Sequence, residues 1–140
     1  MGKITFLGTG TSQGIPMIGC TCRVCKSSDP RDNRLRTSAL VEVDGFRILI
    51  DCGPDFRQQM LREGVSHITA ILLTHKHKDH IGGLDDVRAL NFVDYPDKIH
   101  TVHIYGTHDT CDCVRKDYDY AFSANPYRGV PQMELHEFAT

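Results

Sequence analysis

The chain contains 140 residues, with 16 basic and 18 acidic side chains and a formal net charge of −2. A chain of this length can bury the core of one domain, and a composition of 40% apolar and 24% charged residues excludes a disordered protein. No stretch approaches the roughly 18 consecutive apolar residues of a membrane span, and the near-neutral charge disfavours a nucleic-acid partner.

The N-terminal sequence MGKITFLGTG has neither the charged head nor the long apolar core of a secretory signal. We therefore expect a cytoplasmic protein without a membrane partner. In a reducing compartment, the six cysteines are expected to be metal ligands or buried thiols instead of disulfides.

The first third of the chain is predicted to consist of strands and one long loop. KITFLG, residues 3–8, is typical of a strand that ends in the glycine-rich turn GTGTSQGIP. Residues 19–36 are polar and rich in Cys, Arg, Asp and Ser, which predicts an ordered loop. TSALVEV and RILIDCG, residues 37–43 and 47–53, are predicted strands joined at Asp44-Gly45, a strong hairpin signal.

The rest of the chain alternates between predicted helices and strands. FRQQMLRE, residues 56–63, is predicted to be a helix that stops at Gly64. HITAILLT, residues 67–74, is apolar, as a buried strand should be. After it we predict an amphipathic helix over 84–92, a strand over 100–106, a loop or short helix over 117–132 and a last strand from Met133. This alternation, with one hairpin, indicates an α/β layered fold.

The sequence HKHKDH after the apolar strand concentrates groups that bind metal ions. Residues i and i+2 of an extended segment share a face, so His75 and His77 can bind one ion together. As the chain turns into the next helix, Asp79 and His80 can reach a second ion. Imidazole and carboxylate suit zinc, and also iron or manganese. Two such ions, about 3.5–4 Å apart, could share a hydroxide and polarise a phosphoryl or carbonyl oxygen.

A second group of candidate ligands consists of Cys20, Cys22 and Cys25, three thiols within six residues of the loop 19–36. Thiolates at this spacing fit a closed structural zinc site that takes a fourth ligand from elsewhere. A chance cluster of free thiols is the alternative.

Other reactive residues have simpler explanations. His108, Cys111 and Cys113 form a further Cys/His group, for which buried or exposed thiols are favoured over a metal site. Cys52 is predicted to be a small core residue. The glycine turn GTGTSQG lacks the Gly-Lys-Ser/Thr ending of a P-loop, so we interpret it as a tight turn, with phosphate binding as the minor alternative.

The residues His75, His77, Asp79 and His80 resemble the H-x-H-x-D-H hallmark of the metallo-β-lactamase superfamily, and the resemblance extends over essentially the whole chain. LIDCGPD is similar to the earlier motif of that superfamily, in which the residue at Asp51 supports the metal site from behind. A general turn preference is the alternative explanation for this aspartate. The resemblance implies an αββα layered sandwich, of which we expect only the first half and the start of the second.

Within the superfamily, LGTGTSQGIPMIGCTCRVC is most similar to the phosphodiesterases of phosphonate breakdown that act on a phosphoribosyl 1,2-cyclic phosphate. This resemblance implies a structural zinc ion on Cys20, Cys22 and Cys25, in addition to two catalytic ions in the complete protein.

The motif supplies only two ligands for each catalytic ion. The superfamily adds a third His, a bridging Asp and a late His, and neither His103 nor His136 is in a favourable context for these roles. We therefore expect residues 1–140 to be the N-terminal portion of a longer hydrolase domain. Its apolar sheet face is expected to pair with the missing half or with a second copy.

The leading hypothesis is a metal-dependent phosphodiesterase for a small, cyclic phosphodiester. A hydroxide shared by two metal ions would attack phosphorus, with Asp79 and His80 as the catalytic residues. One alternative is a non-catalytic metal-binding fragment that needs its other half. Another is a thioesterase, lactonase or RNA-processing nuclease of the same fold.

Overall fold

A six-stranded mixed β-sheet forms the centre of the computed structural model, which describes residues 1–138. β1, β2 and β3 pair in antiparallel fashion, whereas β3, β4, β5 and β6 are parallel, so the carboxyl ends of these four strands meet at one end of the sheet. The strands lie side by side in chain order: β1 (Lys3–Gly8), β2 (Ser38–Val43), β3 (Phe46–Ile50), β4 (Ala70–Leu72), β5 (Val102–Gly106) and β6 (Met133–Glu137).

Five α-helices join these strands in the described part of the chain: α1 (Phe56–Glu63), α2 (Lys78–Ile81), α3 (Arg88–Asn91), α4 (His108–Asp117) and α5 (Asp119–Phe122). Two short 3-10 helices, Pro30–Asp32 and Leu84–Val87, accompany them. None of the helices within residues 1–138 has the length and apolar content that crossing a membrane requires.

The hydrophobic core lies between one face of the sheet and the helices. Successive strand residues point to opposite faces, so each strand contributes alternate side chains to this core. The strand members include Leu7, Leu40, Leu49, Ile71 and Ile104, and the helical members include Phe56, Met60, Ile81, Leu84 and Val114. Burial of these side chains provides the main stabilisation of the fold.

The opposite face of the sheet is also apolar but remains exposed within residues 1–138. The strand register places Ile4 opposite Val41, Val43 opposite Phe46, and Leu72 opposite Tyr105 on this face. Phe6, on the same face, is 72% exposed. A sheet that is apolar on both faces is typical of a fold that packs a second layer on it.

Two of the predicted local structures are confirmed residue by residue. The hairpin between β2 and β3 turns at Asp44 and Gly45, whose φ angles of 48° and 84° are those of a primed turn that matches strand twist. Helix α1 covers 56–63 and ends at Gly64, where φ is 65°. Glycine is favoured at such a left-handed position after a helix because glycine has no Cβ atom.

Several predicted elements differ from the structure. The strand predicted over 47–53 ends at Ile50, and the one predicted over 100–106 begins at Val102. The strand predicted over 67–74 is limited to Ala70–Leu72, the three residues that pair with β3. The helix predicted over 84–92 is divided into a 3-10 helix and α3. No second sheet begins within residues 1–138, because Met133–Glu137 extends the first sheet beside β5.

Helix α4 was not predicted from the sequence. It begins after Thr107, whose Oγ1 accepts a hydrogen bond from the backbone N–H of Thr110 at 3.4 Å. Its buried positions, Thr110, Cys111 and Val114, lie on one side of the helix. The sequence HDTCDC, residues 108–113, was interpreted as a group of possible metal ligands, so its helical pattern was not recognised.

Two charged contacts join α4 to the end of β6. His108 Nδ1 lies 2.9 Å from Glu137 Oε2, and Arg115 Nη2 lies 2.8 Å from Glu137 Oε1. The hydrogen bond with Glu137 raises the pKa of His108 above its ordinary value of 6.5. The hydrogen bonds from His108 and Arg115 lower the pKa of Glu137 below 4.5.

We expect Glu137→Gln to lower the pKa of His108, because the substitution removes the carboxylate that favours the imidazolium. In the unaltered protein, the stabilising effect of this contact is present at pH values between the lowered pKa of Glu137 and 6.5, and it disappears as the pH rises through the raised pKa of His108. Histidine NMR titration, with urea unfolding at several pH values, measures both effects. Glu63→Gln on α1 is the control, and an equal pKa for His108 in both variants would contradict the assignment.

Candidate metal centre

The histidine motif lies where the parallel strands end. Asp51 directly follows β3, and residues 75–80 follow β4, so the two segments meet at the carboxyl end of the sheet. This is the end at which α/β folds place their ligand sites. Helix α2 begins inside the motif, with His77 in the extended conformation that precedes the first helical residue.

The four motif residues predicted as metal ligands are neighbours in space. The ring centroids of His75 and His77 are 4.6 Å apart, and those of His75 and His80 are 4.0 Å apart. Asp79 Oδ2 lies 3.1 Å from His80 Nε2. The structure therefore brings these donors to one place, while their role as ligands and the catalytic role of Asp79 and His80 remain predictions.

Asp51 lies behind His80, where the resemblance implied it would be. Its side chain is 2% exposed and its φ angle is 61°, a left-handed conformation that Asp tolerates better than most residues. Its carboxylate accepts hydrogen bonds from the backbone N–H of Thr74 at 2.8 Å and from the Thr74 hydroxyl at 2.8 Å. The Nδ1 atom of His80 is 2.7 Å from the same carboxylate.

These hydrogen bonds determine which ring nitrogens remain free. A carboxylate accepts but does not donate, so His80 Nδ1 carries the proton that faces Asp51. The single hydroxyl proton of Thr74 is also given to Asp51, so Thr74 Oγ1 accepts from Nδ1 of His75 at 3.0 Å. In the neutral form, both rings then present an unprotonated Nε2 atom for metal binding.

The contact between His80 and Asp79 is compatible with a cation at this position. An unprotonated Nε2 atom and a carboxylate oxygen are both acceptors, and they face each other at 3.1 Å. Two acceptors at this distance repel unless a proton or a cation lies between them. The donor set of imidazoles and one carboxylate therefore fits a divalent ion such as zinc.

Two glycines allow the turn after β3 to approach the motif closely. Cys52 N–H donates to the carbonyl of His80 at 2.8 Å, and Gly83 N–H donates to the carbonyl of Cys52 at 2.9 Å. A Cβ atom on Gly53 would lie 2.1 Å from the Asp79 carbonyl oxygen, and one on Gly83 would lie 2.1 Å from the Gly53 carbonyl oxygen. Residues with side chains cannot occupy these positions without moving the backbone.

The three thiols of the cysteine loop also come together. Ligand atoms of Cys20, Cys22 and Cys25 all lie within 4.8 Å of one another, and the group has three members among the described residues. The backbone N–H of Cys25 donates to Cys22 Sγ at 3.5 Å. This hydrogen bond and those with the neighbouring thiols lower the pKa of Cys22 to about 7, which favours the thiolate that binds metal. Zinc binding by this loop remains a prediction.

The third Cys/His group of the sequence is separated by the fold. His108 faces Glu137, Cys111 is buried with its Sγ directed at the His136 carbonyl, and Cys113 faces the Lys76 carbonyl. The preference for thiols over a metal site at these positions remains a prediction. Cys52 is fully buried, and burial raises its pKa well above the ordinary value, as expected for a core residue.

Three further groups of possible ligands were not found from the sequence, because their members are distant along the chain. Each brings three ligand atoms within 4.8 Å of one another, which no three residues of the motif do in the described part of the chain. The groups are His67, Asp94 and His100; His103, Glu134 and His136; and His108, Asp112 and Glu137.

Comparison with known proteins connects this geometry to a family. Residues 46–140 match the family described as beta-lactamase superfamily domain. Over 136 residues the chain is 48% identical to an octanoyltransferase of Porphyromonas gingivalis, a match that covers 96% of this chain and 26% of that protein.

Two solved structures share the fold over nearly the whole chain. One is a diphosphatase from the PhnP family, with a TM-score of 0.86 and 45% identity over 99% of this chain and 51% of that chain. The other is Zn²⁺-bound PqqB from Methylobacterium extorquens, with a TM-score of 0.69 and 24% identity over 98% and 46% of the two chains. The chain thus spans about half the length of each of these proteins.

We expect Gly83→Ala to destabilise the protein by more than about 2 kcal/mol, because the added Cβ overlaps the Gly53 carbonyl oxygen. Gly106→Ala is the matched control, since a Cβ there meets its nearest atom at an ordinary 3.4 Å. We expect the control to lose less than about 1 kcal/mol. Urea unfolding measures both values, and an equal loss would contradict the close approach.

We expect the metal-free protein to carry a proton on Nδ1 of both His75 and His80, whatever the state of Nε2. Two-bond ¹H–¹⁵N NMR of the imidazoles distinguishes the tautomers. In Asp51→Asn the amide can also donate, so His80 is expected to populate the Nε2-protonated form. Asp44→Asn, in the distant hairpin turn, should leave both rings unchanged. A dominant Nε2–H form of His80 in the unaltered protein would contradict the network.

Proposed function

Because the chain belongs to the metallo-β-lactamase superfamily, we propose that it forms the metal centre of a phosphodiesterase that hydrolyses a small, cyclic phosphodiester. The observation that carries the proposal is the placement of Asp51 behind His80, which leaves His80 Nε2 facing Asp79 Oδ2. Similarity to a PhnP-family diphosphatase at 45% identity supports a phosphate ester or anhydride as the substrate class.

We propose that His75 and His77 hold one divalent ion, and that Asp79 and His80 hold a second. Zinc suits these donors, and manganese or iron can take its place. Bound there, such ions would neutralise the charge of the phosphoryl oxygens and lower the pKa of water. The zinc named in the PqqB structure is consistent with this assignment.

The surrounding side chains keep the imidazoles free for this role. Lys76 Nζ lies 3.8 Å from Asp109, and Lys78 forms an ion pair with Asp117, so both lysines are directed away from the rings. His77 is exposed, which leaves the centre open to a substrate. A carboxylate at Asp79 can orient a water molecule and accept its proton as the oxygen attacks phosphorus.

Hydrolysis of a cyclic phosphodiester forms one bond and breaks one bond. The water oxygen joins phosphorus, the ring P–O bond breaks, and the leaving oxygen takes a proton to become a hydroxyl group on the phosphomonoester product. Asp79 is the residue that we assign to the first proton transfer, while Asp51 and Thr74 are positioning residues that hold His80 and His75.

We propose that the cysteine loop binds a structural zinc ion. This ion would stabilise the loop, which contacts the turn next to the proposed catalytic centre. The end of the loop is already joined to the turn that contains Asp51. The backbone N–H of Arg36 donates to Asp55 Oδ2 at 2.7 Å, and its guanidinium lies 2.8 Å from Asp55 Oδ1. The Arg36 carbonyl accepts from Gln59 on α1 at 2.9 Å.

The second candidate function is a metal-binding module that is inactive without further polypeptide. It is favoured by two observations: the motif supplies two ligands for each ion, and the apolar sheet face is exposed within residues 1–138. We propose that the rest of the domain, or a second copy of the chain, covers this face. The name octanoyltransferase refers to a protein of which this chain covers 26%, so it gives weak support for acyl transfer.

A substrate panel tests the proposed reaction class. The protein that contains this chain is assayed with Zn²⁺ or Mn²⁺ on a ribose 1,2-cyclic phosphate, a linear aryl phosphodiester, a diphosphate ester, an acyl thioester and a tRNA precursor. We expect the cyclic phosphodiester to have the highest kcat/KM and a chelator to abolish turnover. Preference for the thioester or the tRNA, or activity that survives chelation, would reject the proposal.

We expect Asp79→Asn to lower kcat/KM for the cyclic phosphodiester on the order of 10²–10⁴-fold, because the amide cannot accept the proton. Asp44→Asn is the matched control, since Asn tolerates the left-handed conformation of that turn. Assay of residues 1–140 with and without the remaining polypeptide separates the two candidate functions. Full turnover by residues 1–140 alone would exclude the inactive module.

A further inference from the structure

A second set of convergent metal donors lies at the end of the sheet opposite the histidine motif. His67 precedes β4 and His100 precedes β5, so both lie at the amino ends of parallel strands. Asp94 belongs to the segment between α3 and β5. We propose that His67, Asp94 and His100 bind one divalent transition-metal ion, with Zn²⁺ as the best match to two imidazoles and a carboxylate.

The donor atoms already surround a common point. His67 Nε2 and His100 Nε2 lie 3.4 Å and 2.6 Å from the same oxygen, Asp94 Oδ2. All three ligand atoms lie within 4.8 Å of one another. In a tetrahedral zinc site with bonds of about 2.0–2.1 Å, neighbouring ligand atoms are roughly 3.3–3.4 Å apart. The exposed Asp94 side chain can rotate to lengthen the 2.6 Å distance between its Oδ2 atom and His100 Nε2.

The imidazole rings of His67 and His100 are oriented so that both Nε2 atoms can contact one ion. Their planes are 89° apart and their centroids are 5.4 Å apart, so the rings do not stack and both Nε2 atoms point inward. The other nitrogen of His67, Nδ1, lies 3.1 Å from the Ser66 hydroxyl. Because a hydroxyl both donates and accepts, Ser66 can stabilise either tautomer of this ring.

The backbone on both sides of the site is held by hydrogen bonds to neighbouring segments. The N–H of His100 donates to the carbonyl of Asn91 at 2.9 Å, and the Asn91 amide returns a bond to the His100 carbonyl at 2.8 Å. Asn91 is fully buried. On the other side, the N–H of Thr69 donates to the carbonyl of Arg47 at 2.8 Å. The segments that contain the three candidate ligands are therefore held in place by hydrogen bonds to the rest of the fold.

Without a metal ion, the same contacts are hydrogen bonds from two Nε2–H groups to one carboxylate. These bonds lower the pKa of Asp94, with His100 as the larger contributor. Metal binding requires the opposite tautomer, because the ion takes the Nε2 lone pair and the proton moves to Nδ1. The two states differ in one observable property, the position of the ring proton.

The other two histidine–carboxylate groups offer weaker donor sets. In one of them Arg115 already pairs with Asp112 and Glu137 at 2.8 Å, so a cation is present. In the other, the ring of His136 stacks on Tyr105 at 4.6 Å on the exposed apolar sheet face. The three ligands His67, Asp94 and His100 leave a fourth position for water and lie far along the strands from the motif.

An ion at this position would join the segment that follows α3 to the start of β4. It is expected to act structurally, since the proposed catalytic centre lies at the other end of the same strands. The consequence is a zinc-dependent increase in stability that does not require catalytic turnover.

Imidazole ¹H–¹⁵N NMR of the 140-residue chain with saturating Zn²⁺ tests the proposal. We expect His67 and His100 to change from the Nε2–H to the Nδ1–H tautomer when Zn²⁺ is added. Retention of Nε2–H on both rings in excess Zn²⁺ would overturn the site. This readout uses the unaltered protein, so it is independent of whether any variant folds.

Zinc stoichiometry provides the second test. We expect Asp94→Asn to bind Zn²⁺ at this site at least tenfold more weakly, and therefore to retain one ion fewer per chain after dialysis than the unaltered protein. Asp97→Asn is the control because Asp97 is an exposed aspartate three residues further along the same segment. Equal zinc content in the two variants would contradict the proposal, whatever the effect of either substitution on activity.

Discussion

The hydrogen bond between Asp51 and His80 connects the fold to the chemistry of this protein. Asp51 is buried, adopts a left-handed backbone conformation and accepts hydrogen bonds from both Thr74 and His80. Strain of this kind costs on the order of 1–3 kcal/mol and is retained where the surroundings determine it. Here the surroundings are the two strand ends, which place a carboxylate directly behind an imidazole. The orientation of His80, and through it the contact with Asp79, follows from this arrangement.

The close approach of two loops makes this arrangement possible. The turn after β3 and the motif after β4 exchange backbone hydrogen bonds, and glycines occur at 53 and 83 where a side chain would overlap a carbonyl oxygen. The parallel pairing of β3 and β4 brings both loops to the same end of the sheet. The site is thus assembled by strand order and by small residues, with few contacts between long side chains.

The sheet has two apolar faces but only one covering layer within residues 1–138. The covered face contains the core, and the second face displays aromatic and branched side chains to solvent. The solved relatives are about twice as long as this chain, and a superfamily metal site needs more ligands than the motif contains. Within residues 1–138, one face of the sheet is covered and the other is exposed, in a chain that spans about half the length of these relatives.

The sequence alone was sufficient for the features that depend on neighbouring residues. The hairpin at 44–45, helix α1, the strand–motif junction and the cysteine loop all follow from short patterns, because the interacting groups are only a few residues apart. It failed for α4, where a Cys- and His-rich sequence obscured a helical pattern, and for the group of His67, Asp94 and His100, in which His67 lies 27 residues before Asp94. Only the tertiary structure decided that His67 meets Asp94 and that His80 meets Asp51, since parallel strand pairing brings together residues that the chain separates by 27 and 29 positions.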